Sequence, residues 1–431
     1  MYSNRDMIIK ASTLNDILFL FQGEYFSNLS PGQKISYSSK TILKRGVKCL
    51  KVFIKDFHFF LFKKSIVRKK SIWVYIVSDN NFRALQSIYN KHLDEIEFIY
   101  PKNSYTKYYY EHYCSPLILK WKWIYDLLFP FYLVIYFYSR NRNILLLRHF
   151  DLLFEAFTNY YASKHAIKKF KPTAVIFSND HLPNTRALLK SACTFGIKTI
   201  YIQHASISKY FPALEFDLAL LEGEDAYRKY KSIGPVKGKV EFIGMPKFDK
   251  FAKKLKTSEE IKKIAICYNT LDELEDVKEL YFSLRDYFPS IELILRAHPS
   301  DRRNLDIDNV IASDAEKELS LEFFQRVDVS ISSNSSIHLE AVLLNVPSIY
   351  YQFTDWGFFD YYGFVENELV EYADSIESVV KIIDELMKNP TDVQHKAKYY
   401  NEVIDTEYYG KSTDLAIEKI LNCIGDETSI S

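Results

Sequence analysis

The feature that most constrains the fold is an alternation of short apolar runs with longer amphipathic stretches, which begins near residue 71. The runs SIWVYIV (71–77) and KTIYIQ (198–203) are typical of buried strands, and segments of helical spacing lie between such runs. Strands that alternate with helices predict βαβ units and a parallel sheet. A second series of the same kind starts at KIAICYN (263–269), after a polar and charged segment over 245–262.

Two such series predict two domains. The chain has 431 residues, which suits about two domains of 150–200 residues each. We therefore predict an α/β protein with two doubly wound, Rossmann-like domains that face each other across a cleft. The predicted divisions are a basic, partly helical region over 1–70, domains over 71–250 and 260–390, and a helical tail over 391–431.

Composition excludes several classes of protein. The chain is 48% hydrophobic and 26% charged, which excludes a mostly disordered protein. Its 56 Lys+Arg against 55 Asp+Glu give a net charge of +1, so we expect no nucleic-acid partner. Five scattered cysteines with no CxxC pair argue against disulfides and zinc, and favour a reducing compartment. Without GxGxxG, GKS or HExxH, we expect no nicotinamide, Walker-type ATPase or metalloprotease.

Two segments near the N-terminus have a composition that suits a membrane surface. Residues 41–70 hold ten Lys/Arg against one acid, Asp56, with apolar residues near helical spacing. A basic amphipathic helix is attracted to anionic lipid by about 1 kcal/mol per nearby charge. The apolar run 124–138 is shorter than the roughly 20 residues of a spanning helix, so it is a core helix or lies in the bilayer interface. We predict that 41–70 binds an anionic membrane surface; the alternatives are a solvated basic face and an RNA-binding patch.

Polar residues follow the strands of the second series, where ligands bind in open α/β sheets. His298 and Pro299 follow one strand; Ser333, Asn334, Ser335 and Ser336 follow another, and Glu340 lies in the next helix. A Ser-rich turn at the positive end of a helix suits phosphate, an imidazole can donate to the same phosphate, and a carboxylate can bind a ribose diol. Each signal alone is weak, since serines often only cap a helix; together they predict a nucleotide site. Further candidate donor contacts are Arg296, Asn269 and Thr270.

This order of motifs resembles the donor half of GT-B glycosyltransferases over about residues 171–390. The likeness is greatest to bacterial surface-polysaccharide enzymes: polysialyltransferases, Kdo-transferring capsule enzymes and CDP-glycerol teichoic-acid polymerases. The resemblance implies a GT-B-like fold in which His298 and the serines hold the phosphate of a CMP- or CDP-activated donor. It also implies a tail helix that packs back on the N-terminal, acceptor-side domain. No metal and no cofactor are expected, because the nucleotide-sugar is a substrate.

The N-terminal half contains two candidates for the catalytic base. Asp180 follows one strand and His204 follows the next. In the teichoic-acid polymerases a histidine in a WHG-like turn at the equivalent strand end looks like the base; here Ala205 stands where the usual glycine would be. His204 is the first choice, because an unperturbed pKa of about 6.5 suits removal of a hydroxyl proton at neutral pH. Asp180 is the second choice, or it orients His204 or the acceptor. The alternatives are a structural histidine and a helix-capping aspartate.

We therefore predict an inverting glycosyltransferase. It would move a sugar from a nucleotide donor to a glycan or glycolipid acceptor in capsule or lipopolysaccharide synthesis. A CMP-linked acidic sugar is favoured over CDP-alditol and UDP-sugar donors. Since the first 23 residues lack the features of a signal peptide, we expect a cytoplasmic protein held peripherally at the inner face of the cell membrane. The alternatives are a non-hydrolysing UDP-sugar 2-epimerase and a non-catalytic GT-B-like scaffold of a polysaccharide complex.

Overall fold

The structure is a computed structural model. It describes residues 9–23, 26–27, 29, 34–35, 37–91, 93–102, 109–208, 211–253, 255, 260–354 and 359–425. The segment 245–262, predicted to link the domains, therefore lies partly outside the described residues. The same holds for the N-terminal residues that bear on a signal peptide.

The first part of the chain forms a seven-stranded parallel sheet with helices around it. Its elements are α1 (Ala11–Ile17), α2 (Ile42–Phe62), β1 (Ile72–Tyr75), α3 (Asp79–Tyr89), β2 (Ile96–Pro101), β3 (Ser115–Leu117), α4 (Lys122–Tyr138), α5 (Ile144–Arg148), α6 (Phe150–Phe170), β4 (Ala174–Phe177), α7 (Pro183–Thr194), β5 (Lys198–Ile202), β6 (Leu218–Leu221), α8 (Glu224–Ile233) and β7 (Lys239–Phe242). The strand order is β3-β2-β1-β4-β5-β6-β7. The order reverses at β1, which creates the topological switch point where open α/β sheets bind ligands.

The second part of the chain forms a six-stranded parallel sheet, which is also surrounded by helices. After a 3₁₀ segment over Pro246–Phe251, its elements are β8 (Lys263–Tyr268), α9 (Leu274–Tyr287), β9 (Glu292–Ala297), β10 (Ile311–Ala312), α10 (Ser320–Phe323), β11 (Val329–Ser332), α11 (Ile337–Leu343), β12 (Ser348–Tyr351), β13 (Glu371–Ala373), α12 (Ile376–Lys388) and α13 (Ser412–Gly425). The strand order is β10-β9-β8-β11-β12-β13, and β8 lies at the switch point. Each sheet is covered by an apolar core on both faces, as parallel sheets require.

The C-terminal segment packs on the first domain. Leu415, Ala416 and Ile420 of α13 belong to the core that covers the first sheet. The chain crosses close to Gly244, whose φ is +70° and where a Cβ would lie 2.4 Å from Cγ2 of Val403. Glycine is therefore required at this crossing, for backbone conformation and for space.

The predicted fold class, two facing doubly wound α/β domains, is confirmed. Two short strands, β3 and β13, were missed. The region 115–170 contains β3 followed by α4, α5 and α6. β3 has only three residues, one of them a proline, and it lies at the edge of the sheet, where proline is tolerated. The sequence of β3 has no alternation of apolar and polar residues that would predict a strand.

The helices α2 and α4 each bury charged side chains and expose many apolar ones. α2 buries Arg45 and Asp56, and the apolar positions of its other face point outwards. α4 covers the whole of the apolar run 124–138 and is only half in the core: Phe129, Tyr132 and Tyr136 are buried, and other large apolar side chains are exposed. Within the part of the chain that the structure describes, no helix has both the length and the hydropathy to span a bilayer.

Candidate functional site

A cavity of about 590 Å³ lies between the two domains, at the carboxyl ends of their strands. This volume falls in the range of about 300–1,000 Å³ that is usual for ligand pockets. Its wall includes these predicted residues: Asn269, Arg296, His298, Pro299, Ser335, Ser336 and Glu340 from the second domain and His204 from the first. Residues separated by up to 136 positions in sequence thus meet in one place. Asp180, Thr270, Ser333 and Asn334 are not part of this wall.

His298 presents one ring nitrogen to the cavity. Its Nδ1 lies 3.1 Å from the backbone nitrogen of Ser300 and 2.7 Å from the Ser300 hydroxyl. The Ser300 N–H can only donate, so the hydrogen of the neutral ring lies on Nε2. The surrounding wall desolvates the ring and lowers the pKa of His298, which keeps it neutral near pH 7. Nε2–H is therefore a hydrogen-bond donor with no partner among the described residues.

The serine turn after β11 is held by a buried aspartate that sequence reasoning missed. The Ser333 hydroxyl donates to Oδ1 of Asp272 at 2.6 Å, and Oδ2 of Asp272 accepts the backbone N–H of Asn269 at 2.8 Å. Ser333 and Asp272 are fully buried. Asp272 thus fixes the loops after β8 and β11 against each other, while Ser335 and Ser336 remain at the cavity. Ser333 supports the turn and does not line the cavity.

A second missed residue, His338, braces the same turn from below. Its Nε2 donates to the Ser333 carbonyl at 2.9 Å, and its Nδ1 faces the Ser348 hydroxyl at 2.7 Å. Burial lowers the pKa of His338 to about 4, so the ring stays neutral. A histidine two positions before Glu340 was the only sequence signal for this role, and it does not distinguish bracing from binding.

Glu340 forms an ion pair with Lys247, which comes from the 3₁₀ segment between the domains. Burial alone would raise the pKa of Glu340, but Lys247 outweighs it and lowers that pKa. Burial alone would lower the pKa of Lys247, but Glu340 and Glu222 outweigh it and raise that pKa. Both groups are therefore charged at neutral pH. Nothing in the sequence pattern of Lys247 predicted this contact.

His204 follows β5 in a turn that is tied to the neighbouring strand. The Gln203 side chain donates to the Glu222 carboxylate at 3.2 Å and accepts the Glu222 N–H at 2.8 Å. Ala205 has no positive φ, so this turn does not need the glycine of the related motif. Nδ1 of His204 is buried without a hydrogen-bond partner in the described structure. Burial lowers the pKa of His204 to about 4, and nearby His181 adds to the effect.

Asp180 is buried outside the cavity wall. Its Oδ2 accepts the Tyr230 hydroxyl at 2.5 Å, and its Oδ1 lies 3.0 Å from Nδ1 of His181. Its charge acts on His204 and favours the protonated ring. Asp180 is therefore not in direct contact with the cavity. Glu222, also buried, has its pKa raised by burial to about 7.

The remaining predicted residues have other partners. Oδ1 of Asn334 accepts the Tyr361 N–H at 2.7 Å, which directs that side chain away from the cavity. The Arg296 guanidinium binds the Ser313 hydroxyl and, at 2.8 Å, the Glu318 carbonyl. Arg296 therefore lines the cavity with its charge already engaged. Thr270 is exposed beyond the wall.

The described residues contain no group of three or more His, Cys, Asp or Glu side chains that could hold a metal ion. The polar groups at the cavity are imidazoles, hydroxyls, amides, several cations and three carboxylates, those of Asp249, Glu340 and Asp414. This set suits a polyhydroxylated, anionic organic ligand.

Comparisons with known proteins identify the fold. No protein-family model and no curated protein matches the chain. The UDP-GlcNAc 2-epimerase from Neisseria meningitidis bound to UDP-GlcNAc is 13% identical, covers 82% of this chain and 100% of its own, and gives a TM-score of 0.52. The wall teichoic acid polymerase TagF is 13% identical, with 90% and 98% covered and a TM-score of 0.50. The glycotransferase of kitacinnamycin is 11% identical, with 83% and 99% covered and a TM-score of 0.51.

At these identities the likeness establishes the fold alone. The chain has the two-domain GT-B-type architecture that these enzymes share, as the sequence predicts.

Proposed function

We propose that this protein is an inverting glycosyltransferase that takes its sugar from a nucleotide-activated donor. The observation that carries the proposal is a cavity between the two GT-B-type domains: groups suited to a nucleotide line the second domain's side, and the imidazole of His204, whose Nδ1 has no hydrogen-bond partner among the described residues, lines the other. Solved structures of this fold include one with bound UDP-GlcNAc, which supports a nucleotide-sugar as the ligand.

The donor would bind on the second domain. Nε2–H of His298 and the hydroxyls of Ser335 and Ser336 face the cavity and offer hydrogen bonds to phosphate oxygens. Glu340, held charged by Lys247, offers its carboxylate to the two hydroxyls of a ribose. Hydrogen-bond donors placed where negative charge develops on the departing phosphate stabilise the transition state.

The acceptor would bind on the first domain, where His204 is the proposed base. An acceptor hydroxyl attacks the anomeric carbon, its proton passes to Nδ1 of His204, and the bond to the phosphate oxygen breaks, so the nucleotide leaves. Burial lowers the pKa of His204 to about 4, so the ring is unprotonated at neutral pH but is a weaker base than the unperturbed imidazole expected from the sequence. The nearby charge of Asp180 favours the imidazolium that forms. A CMP-linked acidic sugar remains the favoured donor, on the resemblance alone.

A UDP-sugar 2-epimerase is the second candidate, because proteins of that activity share the fold. Such an enzyme moves a proton on the donor sugar itself and would need acids grouped at the first domain's side of the cavity. Here Asp180 is bound to Tyr230 and His181 away from the wall, and Glu222 is bound to Gln203. The imidazole of His204 lines the wall in their place, which favours transfer.

We further propose that α2 and α4 hold the protein on an anionic membrane surface, at the inner face of the cell membrane. The apolar stripe of α2 faces outwards, 39–78% exposed, and consists of Ile42, Leu43, Val47, Leu50, Ile54, Phe57, Leu61 and Phe62. Exposed cations accompany it: Lys44, Lys51, Lys63, Lys64, Arg68, Lys69 and Lys70. An apolar stripe flanked by cations matches the interface of an anionic bilayer.

α4 extends this surface next to α2. The ring of Phe57 packs on Trp123 with centroids 5.4 Å apart, and Phe60 packs on both Trp121 and Trp123. α4 exposes a second set of large apolar side chains: Leu127, Leu128, Phe131, Val134, Ile135, Phe137 and Tyr138. A glycolipid acceptor, already in the membrane, would then be the natural acceptor class.

A donor-consumption assay distinguishes the candidate functions. The purified protein is incubated with CMP-N-acetylneuraminate, CMP-Kdo, CDP-glycerol or UDP-GlcNAc, with and without a bacterial glycolipid extract, and released nucleotide and sugar products are measured. A transferase releases nucleotide in an acceptor-dependent reaction. Conversion of UDP-GlcNAc to its 2-epimer without acceptor establishes the epimerase, and no conversion of any donor favours the scaffold.

A further inference from the structure

The charged side chains of the cavity wall are almost all paired. Lys91 contacts Asp414 at 2.7 Å, and Lys247 pairs with Glu340. Lys250 lies 3.6 Å from Glu322, and Arg296 is bound to Ser313 and Glu318. Asp249 accepts the backbone N–H groups of Ser412 and Thr413 at 2.9 and 2.7 Å. These contacts leave little free charge for a ligand.

Arg83 is the exception. Its side chain lines the cavity and is half-buried, and it makes no ion pair, hydrogen bond or ring contact within the described part of the chain. A guanidinium in a half-closed cavity without an anionic partner is incompletely solvated, and it attracts an anion from solution. The cavity therefore contains a guanidinium group that has no partner among the described residues.

Arg83 belongs to a polar face of α3 that is directed into the cavity. Asn80, Arg83 and Ser87 lie three and four positions apart, which places them on one side of the helix. α3 begins four residues after β1, so this face lies at the carboxyl end of the sheet, on the first domain. The nucleotide-binding candidates lie on the second domain. Arg83 is thus placed towards the sugar or acceptor end of the cavity.

Two hydroxyl groups at the same wall also lack partners. Oγ of Ser87 and Oγ1 of Thr413 are buried and form no hydrogen bond within the described residues. Buried polar atoms without partners are uncommon and unfavourable, and both belong to residues that line the cavity. A χ1 rotation brings such a hydroxyl to a ligand. Unpaired hydroxyls beside a free guanidinium suit a ligand that carries both hydroxyls and a negative charge.

We propose that this α3 wall is a subsite for an anionic sugar, in which Arg83 binds the carboxylate or phosphate and the hydroxyls of Ser87 and Thr413 contact the sugar. The inference rests on the proposed function, since it assumes a sugar substrate in the same cavity. The guanidinium fork binds carboxylate and phosphate through two parallel hydrogen bonds. The anion belongs to the donor sugar or to the acceptor sugar, and binding measurements distinguish the two sources.

The test uses calorimetry on the full-length protein. CMP, CDP and UDP are titrated first, and the nucleotide that binds most tightly is used at saturation. N-acetylneuraminate, glucose 6-phosphate and neutral glucose are then titrated into the nucleotide complex, which measures an acceptor-side anion. CMP-N-acetylneuraminate is compared with CMP, which measures an anion on the donor.

The wild-type protein is expected to bind an anionic probe at least tenfold more tightly than its neutral counterpart in one of these two arms. Arg83→Gln removes that preference and leaves nucleotide affinity within twofold, which also reports that the variant is folded. Arg83→Lys keeps the charge but not the fork and retains part of the preference. Arg285→Gln, which removes an exposed charge on α9, has no effect.

Two outcomes would overturn the inference. One is a wild-type protein that binds nucleotide but does not prefer the anionic probe in either arm. The other is an anion preference that survives in Arg83→Gln. If no nucleotide binds at all, the proposed function fails, and with it the premise of the inference; nucleotide binding without anion preference refutes the subsite alone.

Discussion

The backbone N–H of Ser300 donates to Nδ1 of His298 across 3.1 Å, and this contact decides which ring nitrogen carries the proton. With Nδ1 acting as acceptor, Nε2 is the protonated nitrogen of a neutral ring. The loop after β9 thus holds the His298 ring in one tautomer, which presents Nε2–H to the cavity as a hydrogen-bond donor. Donor binding on the second domain would depend on this contact.

Amide substitutions of His298 test the tautomer. The side-chain NH₂ of glutamine reaches about as far as Nε2, whereas that of asparagine reaches about as far as Nδ1. His298→Gln should keep nucleotide affinity within about tenfold of wild type. The nucleotide affinity of His298→Asn should be about 10- to 100-fold lower than that of the wild type, as expected for the loss of a hydrogen bond of about 1.5–3 kcal/mol to a charged group. Calorimetry checks both, and a tighter-binding Asn variant would show that Nδ1 makes the contact.

Removal of the proposed base should separate binding from turnover. His204→Ala is expected to keep nucleotide affinity within twofold and to lower kcat by roughly 10²- to 10⁴-fold, the usual contribution of a general base. Steady-state nucleotide release measures this effect. Retained turnover in His204→Ala, with loss in Asp180→Asn, would transfer the role to Asp180.

The pH profile of the free enzyme follows from the same residue. Because burial lowers the pKa of His204 to about 4, the ring stays unprotonated as the pH falls through its usual value of 6.5. The contribution of His204 to kcat/KM should therefore be constant from pH 7 to about pH 5 and decrease near pH 4. Initial rates in that range measure it. A decrease centred near pH 6.5 would mean that the ring is solvated in the working enzyme.

The carboxylate of Glu340 should recognise the ribose. Glu340→Gln keeps the shape of the side chain but loses the charge that Lys247 holds in place. Affinity for CMP should decrease about tenfold or more, while affinity for 2′-deoxy-CMP, already weaker in the wild type, should change less. Titration of both nucleotides into both proteins gives the comparison. Equal losses for the two nucleotides would argue against contact with the 2′-hydroxyl.

The crossing of the C-terminal segment over Gly244 predicts a large effect on stability. Gly244→Ala imposes a positive φ on alanine and places Cβ 2.4 Å from Val403. Gly196→Ala is the matched control, because its φ is +65° and a Cβ there meets nothing within 4 Å. Gly196→Ala should lower the free energy of unfolding by about 1–2 kcal/mol, from the backbone conformation alone. Gly244→Ala should lower it clearly more, because the added Cβ also clashes with its neighbours. Thermal unfolding ranks them, and equal midpoints would contradict the close crossing.

The α2 surface should bind lipid through both its charge and its apolar stripe. Leu50→Asp and Ile54→Asp are expected to reduce binding to vesicles of phosphatidylglycerol and phosphatidylcholine by roughly tenfold or more. Each replaces an exposed apolar side chain that would enter the bilayer interface with a charged one. Met387→Asp, at an exposed position on α12, is the control and should bind as wild type does. Vesicle co-sedimentation at low and high salt measures this. Equal binding to neutral vesicles would remove the electrostatic part of the proposal.

Much of the architecture and several cavity residues could be predicted from the sequence. Residues that directly follow strands, such as His298 and His204, are placed by the topology itself, because parallel strands end at the same edge of a sheet. Glu340 was placed by its spacing from the serine turn. Such local relationships can be predicted without knowing how distant segments of the chain pack together.

The supporting contacts could not be predicted, because they join distant segments. Asp272 meets Ser333 across 61 positions and Lys247 meets Glu340 across 93; no local pattern encodes either pair. Periodicity identified the apolar stripe of α2 but not the side that faces the protein. That side is decided by the buried contact of Asp56 with Lys122 of α4, at 2.5 Å.

Calorimetric titration of the full-length protein with CMP, CDP, UDP and GDP tests the central claim most directly. We expect a clear preference for one nucleotide, with affinity reduced at least tenfold in His298→Ala and unchanged in Arg285→Gln. Binding of none of the four nucleotides, or undiminished binding in His298→Ala, would contradict it.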